Sequence, residues 1–219
     1  MMRRPAACWV VALAVLVAPW PALRADAAEA DTPPGFSLAL SAIAYIIDEQ
    51  DDYLCPILYV DRGRLHLEAR WQYEDRNTAS LWAGVNWGGG GDFWWELTPM
   101  AGLVLGDTDG AAPGLEASLG YRSFTWYAEV EYLVDLHDSD DNFFYAWSEL
   151  YFAAGGDWRL GLVSQRTRVY ESGVEIDRGL LVGVEFGAFE ATVYVFNPEE
   201  LFDTGDDAPV LALQAGVEF

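Results

Sequence analysis

Between Arg64 and Glu74 every even-numbered residue is polar (Arg64, His66, Glu68, Arg70, Gln72, Glu74) and every odd-numbered one apolar or aromatic (Leu65, Leu67, Ala69, Trp71, Tyr73). A helix would scatter these two sets around its circumference, whereas a strand sorts them onto opposite faces. The same parity recurs in Thr78 to Trp87 and again from Phe93, Leu115, Trp126, Phe189 and Leu211. The pattern predicts twelve strands, at about 36–47, 53–60, 63–74, 78–87, 92–105, 114–122, 124–134, 143–153, 157–168, 176–186, 188–197 and 209–219. The first two read as nearly continuous apolar runs, so a ten-stranded fold with residues 36–60 arranged otherwise is the architectural alternative.

The connections also alternate. Short, nearly neutral ones (Arg62-Gly63, Gly88 to Gly91, Ser123-Phe124, Gly155-Gly156, Gly187) take turns with mostly longer acidic ones (Asp48 to Asp52, Glu74 to Arg76, Asp107 to Gly114, Asp135 to Asn142, Tyr170 to Asp177, Asn197 to Asp207). Strict alternation of loop type implies an up-and-down antiparallel meander with tight turns on one rim and acidic loops on the other.

Alternation alone does not say which solvent meets the apolar face. The placement of the aromatics does. Trp87, Phe93, Trp95, Tyr121, Trp126, Trp158, Phe186, Phe189 and Phe219 gather on that face near the tight-turn rim, as a bilayer interface selects. Strands of about ten residues suit a tilted crossing of the apolar band. The opposite face mixes charges with Gly84, Gly102, Gly120, Gly161 and Gly183, as in a crowded polar interior. The expected fold is all-β: a closed antiparallel up-and-down transmembrane barrel. Apolar residues make up 52% of the chain, which excludes a disordered tail, and a net charge of -23, with every basic residue an Arg, excludes a nucleic-acid partner.

At the N-terminus Arg3 and Arg4 precede the apolar run Ala6 to Val17, and Ala25-Asp26-Ala27 offers small residues where a signal peptidase reads them. Residues 1–27 are therefore expected to be a cleaved export signal, 28–35 a short periplasmic segment and 36–219 the barrel. Cleavage removes Cys8 and leaves Cys55 without a disulfide partner, as a small packed side chain.

The final strand, Leu211 to Phe219, alternates apolar residues and ends on an aromatic. Together with the export signal, it resembles Gram-negative outer-membrane β-barrel proteins as a class, without marking a subfamily. The resemblance implies a bacterial outer-membrane location, lipid and lipopolysaccharide as surroundings, periplasmic termini and tight turns, and acidic loops outside the cell. It also implies that Phe219 belongs to an assembly signal read by the barrel-assembly machinery.

By parity the interior holds Glu68, Glu74, Glu96, Glu116, Glu129, Glu131, Glu149, Glu185, Glu190 and Glu218 against Arg64, Arg70, Arg122 and Arg159, with His66, Gln72, Gln165, Gln214, Tyr127, Trp147 and Tyr194 among them. Buried charges persist when paired, hydrated or neutralised. The excess of carboxylates points to a narrow cation-preferring, porin-like channel; a sealed barrel filled by ion pairs is the alternative. Arg166, Arg168 and Arg178 fall on the lipid-facing parity at the acidic rim, where guanidinium forks suit lipopolysaccharide phosphates, although Glu171, Glu175 and Asp177 offer local partners. The acidic loops could gather Ca²⁺ or Mg²⁺, but Asp138 to Asn142 lacks the glycine and distant glutamate of an EF-hand, and rim hydration is the simpler reading.

No enzyme, cofactor or resident metal is expected; a surface hydrolase, either an omptin-like protease or a lipid-modifying enzyme, is the alternative. Asp107-x-Asp109 and Asp135-x-His137 resemble the paired motifs of omptin proteases, yet such dipeptides arise by chance in Asp-rich loops, and no wider omptin pattern surrounds them. A lipid-modifying hydrolase would need its Ser and His on the lipid-facing wall, and His66 has the opposite parity.

Overall fold

The computed structural model describes residues 35–47, 51–169, 175–198 and 209–219. The expected export signal, nearly all of segment 28–35 and parts of three acidic loops lie outside the described residues.

The strands are β1 (Ser37–Ile46), β2 (Tyr53–Arg62), β3 (Leu65–Trp71), β4 (Ala79–Val85), β5 (Trp87–Gly90), β6 (Phe93–Leu105), β7 (Gly110–Tyr121), β8 (Phe124–Asp135), β9 (Phe143–Gly155), β10 (Trp158–Val169), β11 (Glu175–Phe186), β12 (Phe189–Phe196) and β13 (Val210–Glu218). Between β8 and β9 lies one 3-10 turn, Ser139–Asp141. All strand pairs are antiparallel, and β1 pairs with β13 from Ala39↔Glu218 to Ile46↔Leu211, which closes the wall. β4 and β5 are one stave interrupted at Asn86, since both lie against β6 in a single register, Gly84↔Met100 and Trp87↔Leu97. The molecule is therefore a closed barrel of twelve staves, with no exposed sheet edge to manage.

The ten-stranded alternative is excluded, because β1 and β2 pair along nearly their whole length. Their alternation was faint for a physical reason: inward-facing Ile43, Tyr45, Cys55 and Ile57 are apolar and buried, just as their outward neighbours are apolar and in contact with the surroundings. The connection expected over Asp107–Gly114 is also shorter than its acidic start suggested. β7 begins at Gly110, and Ala111 to Pro113 continue the wall against Leu103 to Ala101.

Outward residues form a continuous apolar belt, with Leu81, Leu103 and Leu162 more than half exposed. At the tight-turn ends the exposed residues include the aromatics Trp87, Phe93, Tyr121, Phe124, Trp126, Phe152, Trp158, Phe186 and Phe219, beside Leu65 and Val85. Trp126 turns its indole Nε1 to Ser148 Oγ at 2.9 Å, satisfying its polar end while the ring stays on the wall.

The interior has two parts. Toward the acidic-loop rim it is apolar and aromatic, built from Tyr45, Val104, Leu133, Phe143, Leu181 and Phe196, all buried. Toward the tight turns it is polar and charged. Two inward glycines admit large rings: a Cβ on Gly102 would run into the Trp82 indole, and one on Gly120 into the Trp94 indole. These two glycines of the polar face thus make room for inward tryptophans, and Gly183 makes room for Arg159.

Candidate functional site

His66, Glu68 and Arg70 stand at alternate positions of β3 and so share its inward face, where all three are buried. β3 ends at Trp71, and Gln72 takes a left-handed conformation (φ 56°) that folds the following residues inward. Tyr73, expected on the outer face, therefore points into the barrel and donates its hydroxyl to Glu129 Oε2 at 2.8 Å. The strand-parity reading failed there because one positive φ shifts the alternation.

Arg70 is the hub. Its Nε donates to Glu68 Oε2 at 2.6 Å, and its Nη1 lies 2.5 Å from Glu131 Oε1, 2.9 Å from Glu129 Oε1 and 3.7 Å from Glu74 Oε1. The guanidinium also lies over the rings of Tyr73 (4.5 Å) and Trp82 (4.8 Å). Fork geometry and aromatic stacking let one cation hold several carboxylates, which a lysine could not do. Glu74 Oε1 accepts from Ser80 Oγ (2.5 Å) and Trp82 Nε1 (3.0 Å), whereas Glu74 Oε2 is buried without a hydrogen-bond partner.

Beside this hub, His66 Nδ1 lies 2.8 Å from Asp61 Oδ1 and Nε2 lies 2.7 Å from Glu68 Oε1. Asn86, at the break between β4 and β5 with its N–H still bonded to Arg64 O, donates its Nδ2 to the same Asp61 oxygen at 2.7 Å. Glu116 on β7 accepts from Tyr127 at 2.9 Å.

A second cluster lies on the opposite wall. Arg159 reaches Glu185 (3.1 Å), Glu190 (3.2 Å) and Thr192 (2.6 Å). Glu149 accepts from Trp147 (2.9 Å) and Tyr194 (2.8 Å). Tyr194 also bonds Gln214, which donates to Ser41.

Of the remaining interior candidates, Glu96 is half-buried, and Glu218 accepts from Ser37 at 2.8 Å across the β1–β13 seam. Arg64 and Arg122 do not reach the interior. Both stand exposed in turns, Arg122 at φ 55° with its guanidinium over Tyr121, because parity lapses where a tight turn begins.

Arg166 and Arg178 are exposed on the outer wall at the acidic-loop end, with Arg166 over the Phe144 ring. The side chains of Arg168 and Glu175, and all of Glu171, lie outside the described residues. Asp177, named as a local partner, accepts instead from Asn197 Nδ2 at 2.8 Å. Phe219 is 77% exposed at the foot of the wall, and its N–H donates to Leu38 O.

The omptin-like pairs sit on adjacent acidic loops, but their carboxylates serve loop structure: Asp107 Oδ2 accepts from Asn77 Nδ2 at 2.9 Å, and Asp109 and Asp135 hold backbone. Asp109 Oδ1 accepts from Gly106 N, and Asp135 Oδ1 accepts from the N–H groups of His137 and Asp138. Asp138 in turn caps the 3-10 turn through Asp140 N.

Sequence reasoning placed Asn86 on the polar face with Thr78, Ser80 and Gly84, as observed, but missed Asp61 and Trp82 as interior residues. Asp61 adjoins a turn, and Trp82 looks lipid-facing by residue type although its even number already placed it with Ser80 and Gly84.

No family model and no curated protein matches the chain. Solved structures do. The KdgM porin superposes with a TM-score of 0.55 at 12% identity, over 83% of this chain and 98% of that one. The KdgM porin in complex with disordered oligogalacturonate gives 0.56 with the same identity and coverage. OccK5 (OpdH) of Pseudomonas aeruginosa gives 0.45 at 6% identity, over 83% of this chain and 67% of its own. The chain thus has the fold of the KdgM porin, a closed antiparallel β-barrel.

Proposed function

We propose that the protein is a narrow, cation-preferring channel of the bacterial outer membrane. The supporting observation is the charge balance around Arg70: Glu68, Glu74, Glu129 and Glu131 surround one guanidinium, and Glu116 stands beside them, 3.9 Å from His66. A confined passage lined by surplus carboxylates raises the local concentration of cations and repels anions. It is unsuited to a polyanion such as the oligogalacturonate carried in one solved neighbour. The aromatic and aliphatic side chains of the outer part of the interior form the constriction. Purified protein in a planar bilayer under a KCl gradient tests this reading: a reversal potential displaced toward that of K⁺ is expected, and anion preference overturns it.

A sealed structural barrel is the second reading, favoured by one observation. Trp147, Tyr194, Phe196, Leu133, Leu181 and Val104 are each at most 5% exposed, packing as a protein core packs. Silent bilayers from folded protein would select this reading.

At the outer rim, Arg166 and Arg178 are proposed to hold lipopolysaccharide phosphates through their guanidinium forks. Export by the N-terminal segment and recognition of Phe219 by the assembly machinery complete the proposal. The acidic loops keep the rim hydrated.

A further inference from the structure

His66 and Glu68 on β3 and Glu116 on β7 bring three ligand atoms within 4.8 Å of one another inside the barrel, although β4 and β6 separate the two strands in the wall. His66 Nδ1 lies 2.8 Å from Asp61 Oδ1, and in the neutral tautomer that places the ring hydrogen there the Nε2 lone pair faces two carboxylates. Glu68 Oε1 lies 2.7 Å from that nitrogen and Glu116 Oε2 lies 3.9 Å from it. A lone pair and two anionic oxygens converging on one point repel each other unless a positive charge sits among them.

The surroundings favour a metal ion. Each of the three groups offers one atom to the shared point while its other polar atom is fixed by a neighbour: His66 by Asp61, Glu68 by Arg70 Nε at 2.6 Å, and Glu116 by Tyr127 at 2.9 Å. Asp61 is itself held by Asn86. A carboxylate behind a ligating imidazole, with each ligating carboxylate hydrogen-bonded in turn, is the outer shell that orients ligands around a metal. Ligand bonds of about 2.0–2.1 Å in a tetrahedron separate neighbouring donors by roughly 3.3 Å, a value that the 2.7 and 3.9 Å separations bracket. One imidazole and two carboxylates also balance a dication and leave a fourth position for water.

We propose that His66, Glu68 and Glu116 bind a divalent ion of the Zn²⁺ type within the barrel, with Asp61, Arg70 and Tyr127 as positioning residues. The site requires only access through the polar end of the interior, so it stands whether or not the barrel conducts.

Full-length protein folded in detergent, stripped with a chelator and titrated with Co²⁺ is the test, with Zn²⁺ as competitor and heat-shifted migration as the fold control. One equivalent of Co²⁺ with the visible spectrum of a four-coordinate ion, displaced by one equivalent of Zn²⁺, is expected. Glu116→Gln, which keeps the Tyr127 contact, and His66→Ala should both abolish the signal. Asp61→Asn should weaken binding by about 10–100-fold. Wild-type protein that takes up no stoichiometric metal overturns the proposal, leaving His66 as a doubly protonated ion-pair partner. Binding that survives both Glu116→Gln and His66→Ala also overturns it, by placing the ion elsewhere.

Discussion

Arg70 on β3 reaches Glu131 on β8 at 2.5 Å through the middle of the barrel, although three staves of the wall lie between those strands. The bond is a strut across the interior, and the Arg70 side chain is 1% exposed.

Removing that strut leaves several buried carboxylates without their counter-charge. Arg70→Met is expected to lower stability by about 3–5 kcal/mol, while Arg70→Lys, which keeps the charge but loses the fork, should fall between it and wild type. Urea unfolding in lipid vesicles measures both, and an Arg70→Met protein as stable as wild type would refute the hub role.

Gly102 and Trp82 form a size-complementary pair. Gly102→Val should destabilise by at least about 1–3 kcal/mol through overpacking, and Trp82→Ala by about 3–5 kcal/mol through an unfilled cavity. In the double variant the new side chain occupies the vacated space, so the combined loss should be well below the sum. Additive losses in a double-mutant cycle would show that the ring and the glycine do not share that space.

Cys55 is 1% exposed and its Sγ lies 2.9 Å from Gln72 O, so a polar maleimide should leave it unlabelled in folded protein and label it after denaturation. Rapid labelling of the native barrel would contradict its inward placement on β2.

How much of this was legible beforehand differs by region. Where one face is ionic, as in β3 with His66, Glu68 and Arg70, strand, parity and interior position all follow from the residues. Where both faces are apolar, as in β1 and β2, the pattern thins, and only pairing with β13 and β3 shows that the segments belong to the wall. Turns and irregular backbone defeat parity outright: Gln72 turns Tyr73 inward, and Arg64 and Arg122 slip out at the rim. The meeting of His66 with Glu116 is a consequence of closure, which no local pattern encodes.

Arg166 and Arg178 on the outer rim make a measurable lipid prediction. Their double replacement by Ala should reduce the stabilisation that added lipopolysaccharide confers by about 1 kcal/mol per arginine. A melting shift identical to that of wild type would remove both from the headgroup site.

Which wall meets lipid is decided most directly by brominated-lipid quenching of single-tryptophan variants refolded into vesicles. Retaining only Trp126 or only Trp158, which are 36% and 55% exposed on the outer wall, should give strong quenching, whereas retaining only Trp82, at 2%, should give almost none. Strong quenching of Trp82 with Trp126 and Trp158 left bright would show the barrel wall to be turned the other way.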